Sequence, residues 1–102
     1  MSNHESAGNN FTTMRRVPLV GLNHYHPELS IEEHPTGLTL HPEPHNQYDP
    51  RAIAVHLLGD KVGYIARERT GPIHEILEQH GTASVYFHRY TGMSSAEILV
   101  GA

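Results

Sequence analysis

The chain of 102 residues contains no cysteine. This absence excludes a disulfide-stapled scaffold, a zinc finger built on cysteine and any thiol nucleophile. Aromatic residues are also few, with two Phe and five Tyr, so the core must be compact. A chain of this length is expected to form one small domain with a single core.

Long apolar runs are absent as well. The longest, residues 17–22 and 52–55, are far shorter than the roughly 20 residues of a transmembrane helix. The opening MSNHESAGNNFTT has no basic start and no apolar segment, which predicts that it is not a secretory signal. We therefore expect a cytoplasmic protein without a membrane partner.

An excess of basic residues is missing too. Seven Lys and Arg face eleven Asp and Glu, giving a net charge of −4 with neutral histidines. That sign is wrong for a protein that coats nucleic acid non-specifically. The ten histidines would reverse the sign of the net charge if all were protonated.

The residue pattern predicts a disordered tail at 1–14 and one domain at 15–102. Pro18 favours an edge position for the first strand or a place at the start of a strand. The strands are predicted at residues 15–25, 38–43, 52–58, 61–66, 82–90 and 96–101.

Two local signals complete the fold prediction. Gly59-Asp60 predicts a tight hairpin. The segment RTGPIHEILEQHG predicts a helix, with Pro72 in the first turn and a closing Gly81. About six strands with one or two short helices favour a small, mainly β, partly open barrel of OB-like or SH3-like type. An open α+β sandwich is the alternative.

The loop HPEPHNQYDP, residues 41–50, is the first candidate site. Asn46 and Asp49 can bond their own backbone, and Pro50 ends the turn. Tyr48 either folds back over the core or offers its face to a nucleobase, while Asp49 accepts a hydrogen bond from a hydroxyl. Such stacking is worth ~1–3 kcal/mol per base.

A second candidate, KVGYIARER, places Lys61, Tyr64 and Arg67 close together. Basic residues interleaved with tyrosine are typical of single-strand binding, although a solvated hairpin explains them equally well. His24 and His26 have the i, i+2 spacing of metal ligands on a strand, and His41 and His45 could supply more. No Cys or obvious carboxylate completes the set, so surface histidines are favoured. No catalytic motif is present, and we predict neither an enzyme, a cofactor nor a metal site.

Three blocks, VGLNHY, LTLHPEPHNQYDPRAIAV and KVGYIARE, occur in this order. Together they resemble the HIRAN domain, found at the N-terminus of SNF2-type fork-remodelling helicases and as stand-alone bacterial and phage proteins. The likeness spans about residues 16–100, and the middle block is its most specific part. It implies an OB-like barrel that grips the 3′ end of single-stranded DNA without chemistry of its own.

The resemblance also implies roles for single residues. Tyr48 and an aromatic of the first block, Tyr25 or its neighbour His24, would stack on the terminal bases. Asp49 would accept a hydrogen bond from the 3′-hydroxyl, and Asn46 would brace the loop.

Further roles concern the DNA backbone. Tyr64 and Arg67 would face the phosphates. DNA-end-binding members have a basic residue after V-G-L, where this chain has Asn23, and this departure weakens a phosphate contact.

The sequence therefore predicts a module that binds the 3′-OH end of single-stranded DNA, with a possible protein partner in DNA repair or replication. The alternative is a protein-interaction module that kept the barrel and lost DNA binding. A metal-binding or enzymatic role is the remaining possibility.

The histidines generate a first prediction. Because His24, His26, His41 and His45 lie near the predicted site in sequence, DNA affinity should rise as pH falls from about 7.5 to about 6, when imidazoles gain charge. Binding titrations at the two pH values test this, and a flat profile would place these side chains away from the ligand.

Overall fold

A computed structural model describes residues 14–25 and 28–102. The predicted tail at 1–14 lies outside this range except for Met14. Within it, six strands and one α-helix follow one another along the chain. Their bounds are β1 Arg15–Val20, β2 Leu38–Pro42, β3 Ile53–Leu57, β4 Asp60–Ile65, α1 Thr70–His80, β5 Ser84–Gly92 and β6 Ser95–Gly101. No helix in the described part is long and apolar enough to cross a membrane.

The six strands form one antiparallel sheet with the order β2-β3-β4-β1-β6-β5. The sheet curls so that its two edge strands, β2 and β5, approach each other. The backbone N–H of Phe87 in β5 donates to the Pro35 carbonyl, 2.8 Å away, in the segment before β2. The result is a curled half-barrel, and the predicted OB-like, mainly β fold is confirmed.

The core lies inside this curl and is built from aliphatic side chains. Leu19, Ile53 and Ile98 have no exposed surface, and the helix adds Ile73, which is equally buried. The helix ends as its sequence predicts, because Gly81 adopts φ 76° and its N–H donates to the Leu77 carbonyl at 2.8 Å. Burial of this apolar surface is the main force that holds the helix against the sheet.

The first strand is shorter than its sequence pattern suggests. It ends at Val20, because Gly21 turns the chain with φ 81° and Leu22–His24 form a single 3₁₀ turn. The prediction that His24 and His26 share one face of a strand is therefore wrong for His24, while His26 lies outside the described residues. An alternation of apolar side chains can continue past a strand when a glycine permits a left-handed turn.

Pro18 lies neither in an edge strand nor at a strand start, contrary to the prediction, since β1 is flanked by β4 and β6 and Pro18 is its fourth residue. Its carbonyl accepts the Ala66 N–H at 3.0 Å, on the side of β4. In a strand the amide and carbonyl of one residue point the same way, so the missing Pro18 N–H also faces that side. The β1–β4 ladder pairs only Leu19 with Ile65 and Val20 with Tyr64, so no ladder bond is lost.

The hairpin between β3 and β4 turns at Leu58 and Gly59, one residue before the predicted position. Both residues have positive φ, 48° and 99°, as in a type I′ turn. Leu58 is 57% exposed, so little burial offsets the strain of a left-handed leucine. That strain is about 1–2 kcal/mol for a residue with a branched side chain.

Replacing Leu58 by Asn should stabilise the domain by ~0.5–1 kcal/mol, because Asn-Gly is the favoured pair for this turn. Thermal melting should show a rise in Tm of about 2–8 °C for a domain of this size. Leu58→Ala is the control, since it removes the side chain but keeps the strain. An equal rise in both variants would contradict the backbone explanation.

Candidate nucleic-acid interface

The loop between β2 and β3 is held by the side chain of Asn46. Its Oδ1 accepts the backbone N–H groups of Tyr48 and Asp49 at 2.8 and 3.0 Å. The Asp49 Oδ1 in turn accepts the Arg51 N–H at 3.0 Å. These bonds fix the loop backbone and leave the Tyr48 side chain outside, 85% exposed. The alternative in which Tyr48 covers the core is excluded.

An open cavity of about 520 Å³ lies beside this loop. Its apolar floor combines the outward-facing Val20 of β1 with Ala52 and Ile65. The remaining lining consists of polar and aromatic side chains from four segments of the chain. These are Tyr25, Asn46, Tyr48, Asp49, Tyr64 and Arg67, six of the nine residues that the sequence predicts for the site.

Three tyrosines line the cavity. The rings of Tyr25 and Tyr64 lie 6.4 Å apart between centroids and are tilted by 53°. Tyr48 lies on the loop and has no aromatic partner among the described residues. An exposed, unpartnered ring beside a cavity is the arrangement that stacks on nucleobases.

One carboxylate and one guanidinium meet at the rim. The Asp49 Oδ2 lies 3.6 Å from the Arg67 Nε, and the Arg67 side chain is 80% exposed. An ion pair of this length with one exposed partner contributes little to stability. Both groups therefore remain available to a ligand, Oδ2 as an acceptor and Arg67 as a cation.

A tighter network lies behind the cavity, centred on Glu43. Its Oε2 lies 2.8 Å from the Lys61 Nζ, and its Oε1 accepts hydrogen bonds from the Tyr64 hydroxyl at 2.8 Å and the Asn46 Nδ2 at 3.0 Å. Lys61 also donates to the Tyr64 oxygen at 2.9 Å. The carboxylate thus connects β4 to the loop that carries Tyr48.

The electrostatics of this network favour the ion pair. Burial alone would raise the pKa of Glu43, but hydrogen bonds from Lys61, Asn46 and Tyr64, with the attraction of the ammonium, lower it to about 2. The hydrogen bonds to Glu43 and Tyr64 raise the pKa of Lys61 above its usual value. Lys61 is therefore charged but neutralised by its partner.

The sequence does not identify Glu43 as part of the site. Glu43 and Asn46 have the i, i+3 spacing that a turn brings together, and this is the only local signal available. The pairing with Lys61 and Tyr64 spans up to 21 residues and depends on the hairpin register, so no motif reveals it.

Three predicted residues do not line the cavity. Asn23 and His24 are exposed on the 3₁₀ turn, and Lys61 lies behind the wall, 4.9 Å from the Tyr64 ring centroid. His41 and His45 lie outside the lining as well.

His41 instead stacks on His56, with ring centroids 4.0 Å apart. Burial lowers the pKa of His56, and the charges of His41 and Lys61 lower it further. Across residues 14–25 and 28–102 no group of three His, Asp or Glu side chains is placed to hold a metal ion.

The sequence matches the family model of the HIRAN domain over residues 13–97. The chain belongs to the HIRAN domain family. HIRAN domains are known as DNA-binding modules, so the predicted family and the broad assignment to nucleic-acid binding are confirmed. No curated protein sequence matches the chain.

Two solved structures resemble this HIRAN domain. The HIRAN domain of human HLTF superposes with a TM-score of 0.65 at 22% identity, covering 86% of this chain and 73% of that one. A protein from Lactobacillus plantarum gives a TM-score of 0.55 at 25% identity, covering 83% and 89% of the two chains. At these identities the likeness concerns the fold.

The Glu43 network generates a stability prediction. Because folding lowers the pKa of Glu43 from 4.5 to about 2, its contribution is complete above about pH 4.5 and is lost as pH falls towards 2. Glu43→Gln should remove ~1–3 kcal/mol from the free energy of unfolding at pH 7 and flatten its pH dependence between these values. Urea unfolding at several pH values measures both quantities.

The matched control is Glu75→Gln, because Glu75 is exposed on α1 and makes no ion pair within the described part of the chain. Equal loss in both variants would show that general charge, and not this network, sets the acid sensitivity.

Proposed function

We propose that this HIRAN domain binds the free 3′-hydroxyl end of single-stranded DNA and acts without catalysis of its own. The main support is that the exposed ring of Tyr48 and the Asp49 carboxylate line the same cavity. Its volume of about 520 Å³ falls within the range of pockets that hold small ligands. A partner protein in DNA repair or replication is part of this proposal.

Asp49 supports recognition of a hydroxyl rather than a phosphate. Its Oδ1 already accepts the Arg51 N–H, while Oδ2 has only the long contact to Arg67. A carboxylate oxygen with spare lone pairs accepts a hydrogen bond from a 3′-OH. A terminal phosphate would instead bring about two negative charges against the acid.

The aromatic rings supply affinity without sequence preference. Tyr48 stands free above the loop, so a terminal base can stack on it without displacing another side chain. Tyr25 and Tyr64 line the same cavity and offer further aromatic surface to a second base or the sugar. Every base has a π-face, so such a site tolerates any sequence.

Arg67 supports contact with the backbone. Its side chain is 80% exposed at the cavity rim and is held by Asp49 only loosely. The phosphate on the 5′ side of the terminal nucleoside can therefore attract the guanidinium while Asp49 accepts the hydrogen bond from the 3′-hydroxyl.

A second candidate is a protein-interaction module that retains the barrel. Lys61 is neutralised by Glu43, Asn23 carries no charge, and the whole chain has a net charge of −4. These features reduce attraction to phosphates. This alternative predicts no DNA association that weakens as salt rises.

The test is fluorescence anisotropy at low salt with a labelled strand ending in 3′-OH or 3′-phosphate. Wild-type protein should bind the hydroxyl form more tightly. Asp49→Ala should abolish this preference, whereas Tyr48→Ala should weaken binding of both strands by roughly 5- to 150-fold, the cost of one lost stack.

Tyr86→Ala is the matched control for Tyr48, since Tyr86 is an exposed tyrosine of β5 that does not line the cavity. Asp60→Ala serves the same purpose for Asp49, because Asp60 is exposed at the start of β4. Equal wild-type binding of both strands would rule out end recognition. Absence of binding to either would favour the interaction module.

A further inference from the structure

Two arginines near the cavity are not neutralised by an acid. Arg16 of β1 and Arg69, at the start of α1, are both exposed. Neither forms an ion pair with any acidic side chain of residues 14–25 and 28–102. Glu68 is adjacent in sequence to Arg69, yet it pairs with neither.

A hydrogen bond brings these two residues together. The Arg69 Nη1 donates to the Arg16 carbonyl at 3.2 Å. Two residues further along β1, the Pro18 carbonyl accepts the Ala66 N–H. The Arg69 guanidinium therefore donates to the carbonyl of β1 that follows beyond the end of β4. This hydrogen bond holds Arg69 next to Arg16.

The geometry of β1 aligns this pair with the cavity. Val17 and Leu19 point into the core, so Arg16, Pro18 and Val20 share the outer face. Val20 is part of the cavity floor. Four residues of strand correspond to roughly 13 Å at ~3.3 Å per residue, so Arg16 lies about that far from the floor.

Arg67 connects the cavity with the Arg16–Arg69 pair. It lines the cavity and is followed two residues later by Arg69, within the short 3₁₀ turn that precedes the helix. Arg67, Arg69 and Arg16 thus form one cationic stripe, the arginine stripe, that starts at the cavity and runs along the outer face of β1.

We propose that the arginine stripe is a second subsite, which binds the phosphates of the same DNA strand on the 5′ side of its terminal nucleotides. This proposal rests on the proposed function. A distance of ~13 Å corresponds to roughly four stacked nucleotides at ~3.4 Å each, and to fewer when the strand is extended. The stripe supplies phosphate contacts that Asn23 and the neutralised Lys61 do not.

The experiment varies strand length and the 3′ group independently. Strands of about three and about eight nucleotides, each with 3′-OH or 3′-phosphate, are titrated by anisotropy against wild-type protein and Arg16→Gln/Arg69→Gln. With stacked bases at ~3.4 Å each, the short strand ends before the Arg16–Arg69 pair, and the long one passes it.

Wild-type protein should bind the long strand more tightly than the short one. The double variant should lose this gain, with a drop of roughly 5- to 30-fold for the long strand and little change for the short one. The slope of log affinity against log salt should fall by about 0.7 per lost phosphate contact. The preference for 3′-OH should remain.

Arg15→Gln/Arg89→Gln is the control, because it removes the same charge. Arg15 precedes Arg16 on the other face of β1, and Arg89 of β5 is paired with Glu97 at 3.2 Å. Thermal melting of both double variants verifies that they fold.

An equal drop in the control variant would overturn the stripe in favour of general charge. If Arg16→Gln/Arg69→Gln still preferred the long strand over the short one as strongly as wild-type protein does, the stripe would also be overturned. End recognition would remain intact. If wild-type protein showed no preference for 3′-OH over 3′-phosphate, that result would contradict the proposed function instead.

Discussion

The Glu43 carboxylate is the contact on which the shape of the candidate site depends. It accepts hydrogen bonds from Tyr64 and Asn46 and pairs with Lys61, so one side chain joins β4 to the loop between β2 and β3. Asn46 extends this network, because its Oδ1 accepts hydrogen bonds from the backbone N–H groups of Tyr48 and Asp49. The position of the exposed ring is therefore set by a chain of hydrogen bonds that begins inside the sheet.

The same network determines which cations face a ligand. Lys61 has a partner at 2.8 Å that is also hydrogen-bonded twice more, so detaching it would leave a half-buried carboxylate unpaired. Arg67 has a single exposed contact at 3.6 Å, which costs little to break. Two basic residues that look equivalent in the sequence thus differ in how tightly a carboxylate holds them.

Local chemistry explains which features could be predicted from the sequence. The turn residues of the loop, Pro72 in the first turn of the helix and the closing Gly81 act within a few positions, and the structure has them where the pattern indicates. The central position of Pro18 and the role of Glu43 depend on partners far along the chain. Gly21 ended a strand that alternation alone would continue. Periodicity reports burial, and it carries no information on register or neighbours.

An acidic residue and a net negative charge are compatible with the proposed DNA binding when two kinds of contact are considered separately. One kind supplies affinity for the strand, and the other discriminates between end groups. In the proposed site, stacking on Tyr48 would not depend on charge, and phosphates would contact the few arginines that no carboxylate holds tightly. Within the proposed site Asp49 acts chiefly against the wrong ligand, since a terminal phosphate meets a fixed negative charge while a hydroxyl donates to it. Because that penalty falls on one end group and not on the strand, a domain of this composition can select strand ends without binding the interior of every strand.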